Sequence, residues 1–236
     1  PLPVDGEESI VPMATTEGAL VASTNRGCKV LREAGGVKTS VEIRGMARAP
    51  VVELSSPDEA VGFGKWIESP DGTAAVEAAV GATSSHSKFL GARATVIGRL
   101  VFVRVSVDTG DAMGMNIVSK ACEALFSRDG AAKRKYAGLK VVSISGNMCS
   151  DKKAAAVNAI DGRGRCVTAE AVIPGKVLEQ VLGADAETME RVCSRKCWLG
   201  SGLAGAGAGG LNAQAANVVA AVFLATVQDC AQVVES

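Results

Sequence analysis

Apolar and polar residues near the start of the chain follow first a helical and then an alternating pattern. Thr15-Thr16 can cap a helix that carries Glu17 in its first turn and stops at Gly35-Gly36. The periodic apolar positions of this helix are Leu20, Val21, Val30 and Leu31. Residues 37–43 then alternate between apolar and more polar side chains, which predicts a half-buried strand.

The middle of the chain begins with two helix signals. Ser56-Pro57-Asp58-Glu59 has the spacing of a capping box with proline at the first helical position, so a helix is predicted from Pro57 to about Glu68. Ser69-Pro70-Asp71-Gly72 is interpreted as the end of that helix. A second, short helix is predicted from about Thr73 to Val80.

A hairpin is predicted next, because two strand-like runs between Ala92 and Val107 meet near Gly98-Arg99. In its second strand the alternate valines face one way, while Arg104 and Ser106 face the other. A helix from about Ala112 to Phe126 and a strand over residues 139–144 follow. This order of elements predicts a compact α+β unit that could be an insertion in a larger domain.

The remainder of the chain changes character after Ser150. A helix over residues 153–160, a short strand over residues 169–173 and two amphipathic helices are predicted. The stretch from Leu199 to Gln228 holds no charge, but its strictly apolar part, residues 218–227, is too short for a membrane span of about 20 residues. It is predicted to be a central buried helix, so no membrane contact is expected from this chain.

Composition narrows the class of protein. The 236 residues favour one large domain or one domain with an insertion, and 47% apolar and 21% charged residues exclude a disordered chain. With 25 basic against 25 acidic residues, nucleic acid is not expected as a partner. The seven scattered cysteines contain no CxxC pair, so we expect free, mostly buried thiols in a reducing compartment and no metal site.

Four segments carry polar residues that packing does not require. The first, PMATTEG with ASTNRG, includes Glu17, whose charge could simply complement the helix dipole. The second, SGNMCSDKK at residues 145–153, places two lysines against the dipole of a following helix. That placement favours an anionic ligand, and a solvated capping turn is the alternative.

The third segment, TGDAMGMN at residues 109–116, has Gly114 one turn inside the predicted helix, where glycine permits close approach of a backbone or a ligand. The helix start could hold a phosphate, although the pattern is not a dinucleotide fingerprint. The fourth segment is the uncharged stretch, which ends in Gln228-Asp229. Asp229 is expected to be partly desolvated, with a raised pKa unless a cation pairs with it, or else to be a surface residue at a frayed helix end.

These four segments, in this order and at these separations, closely resemble the catalytic part of the eukaryotic-type (class I) 3-hydroxy-3-methylglutaryl-CoA (HMG-CoA) reductases. The resemblance covers essentially the whole chain. It implies an α+β fold in which a large, mostly helical substrate-binding domain, residues 1–49 and 144–236, carries an inserted ferredoxin-like domain at residues 50–143 that binds NADPH. It also implies a four-electron reduction of HMG-CoA to mevalonate and free CoA, the committed step of isoprenoid and sterol synthesis.

The resemblance assigns roles to residues of this chain. Lys152 is implied to stabilise the thioester oxyanion, Glu17 to donate a proton to the aldehyde-stage oxygen, and Asp229 to bridge the two. The implied substrate anchors are Arg48 of GMARAP, Ser145, Asp151, Lys153, Lys196 and Asn217. The implied cofactor residues are Ser85, Asp111, Met113, Gly114, Met115 and Asn116. The resemblance further implies a homodimer or tetramer in which the Lys152 loop and the Glu17 and Asp229 residues come from different subunits.

The chain departs from the family pattern at three places. Gln214 stands where the family commonly has histidine, and Ser85, with Lys88 nearby, stands where many relatives carry arginine for the ribose phosphate. The family's late histidine, which protonates the CoA thiolate, has no counterpart, since the one histidine is His86 in the small domain. We therefore expect a fragment of a protein that a segment outside this chain anchors in the endoplasmic reticulum, with the catalytic domain facing the cytosol. The alternatives are an inactive excerpt that only binds ligands and the NAD-linked degradative class of the same family.

Overall fold

The computed structural model describes residues 1–205 and 211–235. Part of the glycine-rich stretch, including Gly207, Gly209 and Gly210, lies outside the described residues. The strands are β1 (Leu2–Val4), β2 (Glu7–Ser9), β3 (Lys38–Arg48), β4 (Val51–Glu53), β5 (Lys88–Ile97), β6 (Leu100–Asp108), β7 (Lys140–Ser143) and β8 (Gly164–Glu170). The helices are α1 (Gly18–Glu33), α2 (Pro57–Ile67), α3 (Pro70–Thr83), α4 (Met115–Phe126), α5 (Ala131–Lys135), α6 (Ala156–Asp161), α7 (Gly175–Val177), α8 (Ala186–Val192), α9 (Ser201–Leu203) and α10 (Ala215–Ala225).

Two π-helical segments, Leu178–Leu182 and Cys193–Gly200, continue α7 and α8, and a 3-10 segment, Cys230–Glu235, follows α10. Contacts divide the chain into two compact units. The terminal unit comprises Pro1–Val41, Lys152–Ala156 and Val167–Ser236, and the sheet unit comprises Glu42–Asp151 and Val157–Cys166. The fold is thus mixed α and β, as the sequence predicts.

The sheet unit is built around strand β6. The sheet has the order β7-β4-β6-β3-β8, with β5 also paired to β6. The predicted hairpin is confirmed, since β5 and β6 pair antiparallel from Lys88 with Asp108 to Ile97 with Leu100. The alternate valines of β6 are at most 1% exposed and pack against α2, α3 and α4. The unit extends past the predicted insert at residues 50–143 because Met46–Arg48 of β3 pair with Val105–Val107 of β6.

Two helix starts differ from the prediction. Helix α2 begins at Pro57 behind the Ser56 cap, as predicted, but α3 begins at Pro70, where the sequence was interpreted as a stop. The Ser69 side chain accepts from the Gly72 N–H at 3.3 Å, so Ser-Pro-Asp acts as a second helix start. Helix α4 begins at Met115, and Gly114 is its N-cap rather than an interior residue.

In the terminal unit, little of the apolar surface is covered by the chain itself. Among its described residues, those that are at most 9% exposed are few, namely Leu20, Val30, Val177, Leu178 and Ala221. The prediction that the uncharged stretch forms a central buried helix is therefore wrong for this chain, because α10 buries only Ala221 and leaves Leu224 56% exposed. Within residues 1–205 and 211–235, no helix is long and apolar enough to cross a bilayer.

All seven cysteines are free, as predicted, but they are not mostly buried. Cys122 and Cys149 are buried, whereas Cys166, Cys193 and Cys230 are exposed. Burial raises the pKa of the Cys122 thiol to about 12, so that thiol stays protonated. Cys166 lies on the exposed part of β8, and Cys193 and Cys230 lie on exposed π-helical and 3-10 segments, so the apolar character of cysteine does not by itself predict burial.

Candidate active site

An ion pair joins Lys152 and Asp229 within the terminal unit. Lys152 Nζ lies 2.7 Å from Asp229 Oδ2, and the two side chains are 47% and 41% exposed. Asp229 is thus exposed and paired with a cation, which is the alternative that the sequence left open to a desolvated carboxylate. The hydrogen bond from Lys152 and the Ala231 N–H together lower the pKa of Asp229 below its ordinary value of 3.8. The carboxylate is therefore ionised at neutral pH and forms an ion pair with Lys152.

This pair forms within a single chain, whereas the family resemblance implied that its two residues come from different subunits. The backbone adopts a left-handed conformation at or near each of the two residues. Lys152 has a φ of 58°, and the β-branched Val227, just before Gln228-Asp229, has a φ of 59°. These left-handed conformations are unfavourable for residues with a side chain, particularly for valine. The Lys152 N–H also donates to the Glu235 carboxylate. The backbone of the Lys152 loop is therefore held by a residue that follows Asp229 closely in the sequence.

Glu17 makes different contacts from this pair. It is the N-cap of α1 rather than a first-turn residue, and its N–H donates to Thr15 Oγ1 at 3.1 Å. Among the described residues its carboxylate has no hydrogen bond or ion pair. The structure does not bring Glu17 into contact with Lys152 or Asp229.

A groove beside Glu17 contains another candidate residue. This groove has a volume of about 560 Å³ and is lined by Ala14, Thr15, Thr16, Leu20, Asn217, Ala220, Ala221 and Leu224. The Ala14 N–H donates to the Ala221 carbonyl at 2.9 Å and holds the PMATTEG segment against α10. Asn217 is exposed on the groove wall. The first and fourth polar segments of the sequence therefore share one surface.

In the sheet unit, three predicted substrate anchors come together. Arg48 lies at the end of β3, and its Nη1 is 3.3 Å from Ser145 Oγ and 3.6 Å from Asp151 Oδ2. The side chains of Arg48 and Asp151 are only 14% and 19% exposed. Asp151 neutralises part of the arginine charge, while the Ser145 hydroxyl accepts from the guanidinium. The arrangement offers a partly buried cation with a hydroxyl beside it, which suits a carboxylate ligand.

Three residues of this site were missed by the sequence interpretation. Arg163 Nη2 lies 3.2 Å from Asp151 Oδ1, and Arg48 Nε donates to Ser119 Oγ at 2.9 Å. Cys149 is fully buried, with its Sγ 3.5 Å from Ser145 Oγ. Burial by itself would raise the pKa of the Cys149 thiol, but hydrogen bonds from Ser145, the Asp151 backbone and Arg48, with the Arg48 charge, lower it on balance. The DGRGR string that contains Arg163 was the available signal.

The predicted cofactor segment lies at the start of α4. Gly114 has a φ of 78°, and a Cβ there would lie 2.3 Å from Thr109, so glycine is needed for the loop itself rather than for a ligand's approach. No side chain caps the helix and its first turn has no acid, which leaves N–H groups available for an anion. Asp111, Met113 and Asn116 are exposed, but the Met115 side chain is 5% exposed and belongs to the core. These features fit a phosphate-bearing nucleotide.

The other candidate residues lie on exposed surface. Ser85 is exposed after α3, with Oγ 3.3 Å from His86 Nδ1. Lys153 is exposed next to Lys152, and Lys196 is exposed on the Cys193–Gly200 π-helix. Gln214, at the position where the family commonly has histidine, precedes α10 and donates from Nε2 to Ser23 Oγ at 3.1 Å.

The fold is shared with solved structures of one class of reductase. The chain superimposes with a TM-score of 0.66 on a 3-hydroxy-3-methylglutaryl-coenzyme A reductase from Streptococcus pneumoniae, which is 22% identical, over 97% of this chain and 51% of that one. A class II reductase from the same organism, in a structure bound to NADPH, gives a TM-score of 0.60 at 21% identity over 86% of this chain and 50% of that one. At these identities the similarity establishes the fold.

Sequence comparison establishes the family. The family model for hydroxymethylglutaryl-coenzyme A reductase matches residues 1–236. The chain is 46% identical to 3-hydroxy-3-methylglutaryl-coenzyme A reductase 1 of Dictyostelium discoideum and 46% identical to the reductase of Schistosoma mansoni, in each case over 100% of its own length. It spans 42% and 25% of those two proteins. The chain belongs to the hydroxymethylglutaryl-coenzyme A reductase family.

Proposed function

We propose that the protein reduces HMG-CoA to mevalonate and free CoA with two equivalents of NADPH, the committed step of isoprenoid and sterol synthesis. The observation that carries this proposal is the 2.7 Å pair of Lys152 and Asp229. The pair supplies an ammonium ion held in place by a carboxylate, and the chain belongs to a family that is named for the reduction of HMG-CoA. The whole reaction is attributed to the intact protein, since the chain spans less than half of its relatives.

Lys152 is the electrophilic residue of the proposal. A thioester carbonyl that accepts hydride becomes an oxyanion, and a positioned cation stabilises that charge as it develops. Asp229 keeps the ammonium ion in place, because its pKa is lowered and it stays charged throughout the neutral range. The cation is partly exposed, so it is accessible to a bound carbonyl.

Glu17 is proposed as the proton donor at the aldehyde stage. It is exposed at the start of α1, next to the groove that Asn217 lines. A carboxyl group can serve as a general acid only when it lies within hydrogen-bond reach of the oxygen that receives the proton. The absence of a partner for its carboxylate among the described residues is consistent with a group that contacts substrate.

Arg48 and its neighbours are proposed to hold the hydroxymethylglutaryl group. A guanidinium ion binds a carboxylate strongly when both are partly desolvated, and Arg48 is 14% exposed. Ser145 and Asp151 both contact Arg48; the Ser145 hydroxyl can donate to a ligand oxygen, and the Asp151 carboxylate can accept from the ligand's hydroxyl group. Lys153, Lys196 and Asn217 complete the proposed set with exposed polar groups.

NADPH is proposed to bind at the start of α4 and to supply the hydride. The uncapped first turn provides N–H donors for its diphosphate, while Asp111, Met113 and Asn116 present side chains around it. The loop before α4 is held by the close approach of Gly114 to Thr109 and by the buried Met115 side chain. Ser85 is the proposed neighbour of the ribose phosphate, with Lys88 supplying charge nearby.

The proposed organisation follows the family. Residues 50–143 form a ferredoxin-like NADP(H)-binding domain, and residues 1–49 with 144–236 form part of the large HMG-CoA-binding domain. A second copy of the protein is the proposed partner, and it could cover the exposed apolar surface of α10, which includes Leu224. The intact protein is proposed to be anchored in the endoplasmic reticulum membrane by a segment outside this chain, with this region facing the cytosol.

Stoichiometry tests the proposal most simply. The intact protein, supplied with HMG-CoA and excess NADPH, should oxidise two NADPH for each CoA thiol released and form mevalonate. Parallel assays with NADH should be slower. Faster turnover with NADH in the direction of CoA acylation would assign the protein to the degradative class instead, and binding without any turnover would reject the enzymatic proposal.

A further inference from the structure

Five residues of the sheet unit form a closed ring of contacts, which we call the arginine ring: Arg48, Asp151, Arg163, Met115 and Ser119. Asp151 receives Arg48 Nη1 at 3.6 Å on one oxygen and Arg163 Nη2 at 3.2 Å on the other. Arg163 Nη2 also lies 3.2 Å from Met115 Sδ. Ser119 Oγ donates to the Met115 carbonyl at 2.9 Å and accepts from Arg48 Nε at 2.9 Å, which closes the ring.

The ring connects two sites that the sequence treats as separate. Arg48 and Asp151 are proposed substrate anchors, while Met115 is the first residue of α4 and belongs to the cofactor segment. The side chain of Arg163 is 4% exposed, and burial lowers the pKa of its guanidinium while the Asp151 charge opposes this shift. A buried cation whose partner is removed, or a buried carboxylate whose cation is removed, is strongly unfavourable, so each member restrains the others.

Resting on the proposed function, we propose that Arg163 is a positioning residue that couples the two ligands. It holds Asp151 beside Arg48 and, through the same Nη2 atom, rests against Met115 at the start of α4. A nucleotide that orders the first turn of α4 would thereby also order Asp151 and Arg48, and an acyl-CoA that engages Arg48 would order α4. Since coupling between two sites is reciprocal, each ligand would strengthen the binding of the other by the same factor.

Binding measurements on the intact protein separate this role from a structural one. The dissociation constant of HMG-CoA is measured by calorimetry with and without NADP⁺, which cannot deliver hydride, and that of NADP⁺ with and without HMG-CoA. The wild type should show mutual strengthening of about fivefold or more. Arg163→Met should weaken HMG-CoA binding about tenfold and abolish the coupling, because Asp151 loses its second cation.

Arg104→Met is the matched control. Arg104 is another buried arginine of the sheet unit, 6% exposed, and it pairs with Asp161 at 3.3 Å outside the ring. Its replacement should lower thermal stability as much as Arg163→Met does, yet leave the coupling intact. If both variants lose the coupling equally, or if neither does, Arg163 has no positioning role.

Two further variants keep the test decisive. Arg163→Lys retains a cation that can replace the Nη2 contact to Asp151, so HMG-CoA should bind within about threefold of wild type, even if Arg163→Met folds poorly. In an Asp151→Asn background, Arg163→Met should cause no further loss of HMG-CoA binding, since Arg163 acts through Asp151. An additional tenfold loss there would overturn the proposal. A wild-type protein that does not reduce HMG-CoA would reject the proposed function instead, whatever the variants do.

Discussion

The two units of the chain organise their charged residues in opposite ways. The sheet unit buries Arg104 and Arg163 and pairs each with a carboxylate. The terminal unit carries its Lys152–Asp229 pair on the surface, with each side chain more than 40% exposed, and few of its residues are buried. Buried pairs fix geometry, whereas an exposed cation remains available to a substrate. Under the proposed function, the sheet unit holds the ligand-positioning residues and the terminal unit holds the residue that supplies the reacting charge.

The terminal unit should show the largest effect on turnover. Lys152→Ala removes the cation that is proposed to stabilise the oxyanion, so kcat for HMG-CoA reduction should fall about 100- to 1000-fold. Lys176→Ala, which removes an exposed lysine of the same unit, is the control and should leave kcat unchanged. Steady-state NADPH oxidation measures both. Near-normal turnover of the Lys152 variant would remove that residue from the mechanism.

In the sheet unit, Gly114→Ala should show the largest effect on stability. Alanine is unfavourable at a φ of 78°, and its Cβ would lie 2.3 Å from Thr109, so the free energy of unfolding should fall by about 1–3 kcal/mol. Gly81→Ala, in the open part of α3, should instead raise it by about 0.5–1 kcal/mol. Chemical denaturation of both variants decides the matter, and equal effects of the two would contradict the assigned role of Gly114.

The exposed pair should also respond to acid in a defined direction. The pKa of Asp229 is lowered in the folded state, so the pair contributes fully above its ordinary value of 3.8 and is lost as the pH falls through the lower folded value. Carbon-13 NMR titration of the Asp229 carboxyl group should therefore give a midpoint below 3.8. Lys152→Ala should move that midpoint upward. A midpoint that does not change in this variant would mean that Lys152 does not cause the shift.

Gln214 should show the smallest effect. Its 3.1 Å hydrogen bond to Ser23 joins the start of α10 to α1 at an exposed position, so Gln214→Ala should lower the free energy of unfolding by at most about 1 kcal/mol. Gln180→Ala, at an exposed position without such a contact, should have no effect. A loss of several kcal/mol on replacing Gln214 would show that the terminal unit depends on this link far more than its exposure indicates.

The sequence predicted elements best where one local signal determined the outcome. The β5–β6 hairpin follows from alternation, and α2 follows from its capping box. The same Ser-Pro-Asp signal at Ser69 was interpreted as a stop because it closely follows another helix, and Gly114 was placed inside α4 because a glycine cap leaves no side-chain signature. The apolar pattern of α10 predicted burial, but a pattern cannot specify which surface covers a helix.

The candidate site was less accessible to pattern alone. Lys152 and Asp229 are far apart in sequence, and only the family resemblance suggested that they meet. Arg48, Ser145 and Asp151 were predicted in the same way, and the structure brings them together. Arg163 and Ser119 were missed, because a partner that positions a charged residue leaves no spacing rule in the sequence and is recognised only from the folded contacts.

A double-mutant cycle on the exposed pair tests the central claim most directly. If Asp229 acts by holding the Lys152 ammonium ion, Asp229→Asn should reduce kcat in the wild type but cause no further reduction in Lys152→Ala. The measured quantity is kcat for HMG-CoA reduction by the intact protein and its three variants. The account predicts a double variant as slow as Lys152→Ala alone. Losses that multiply independently would contradict it.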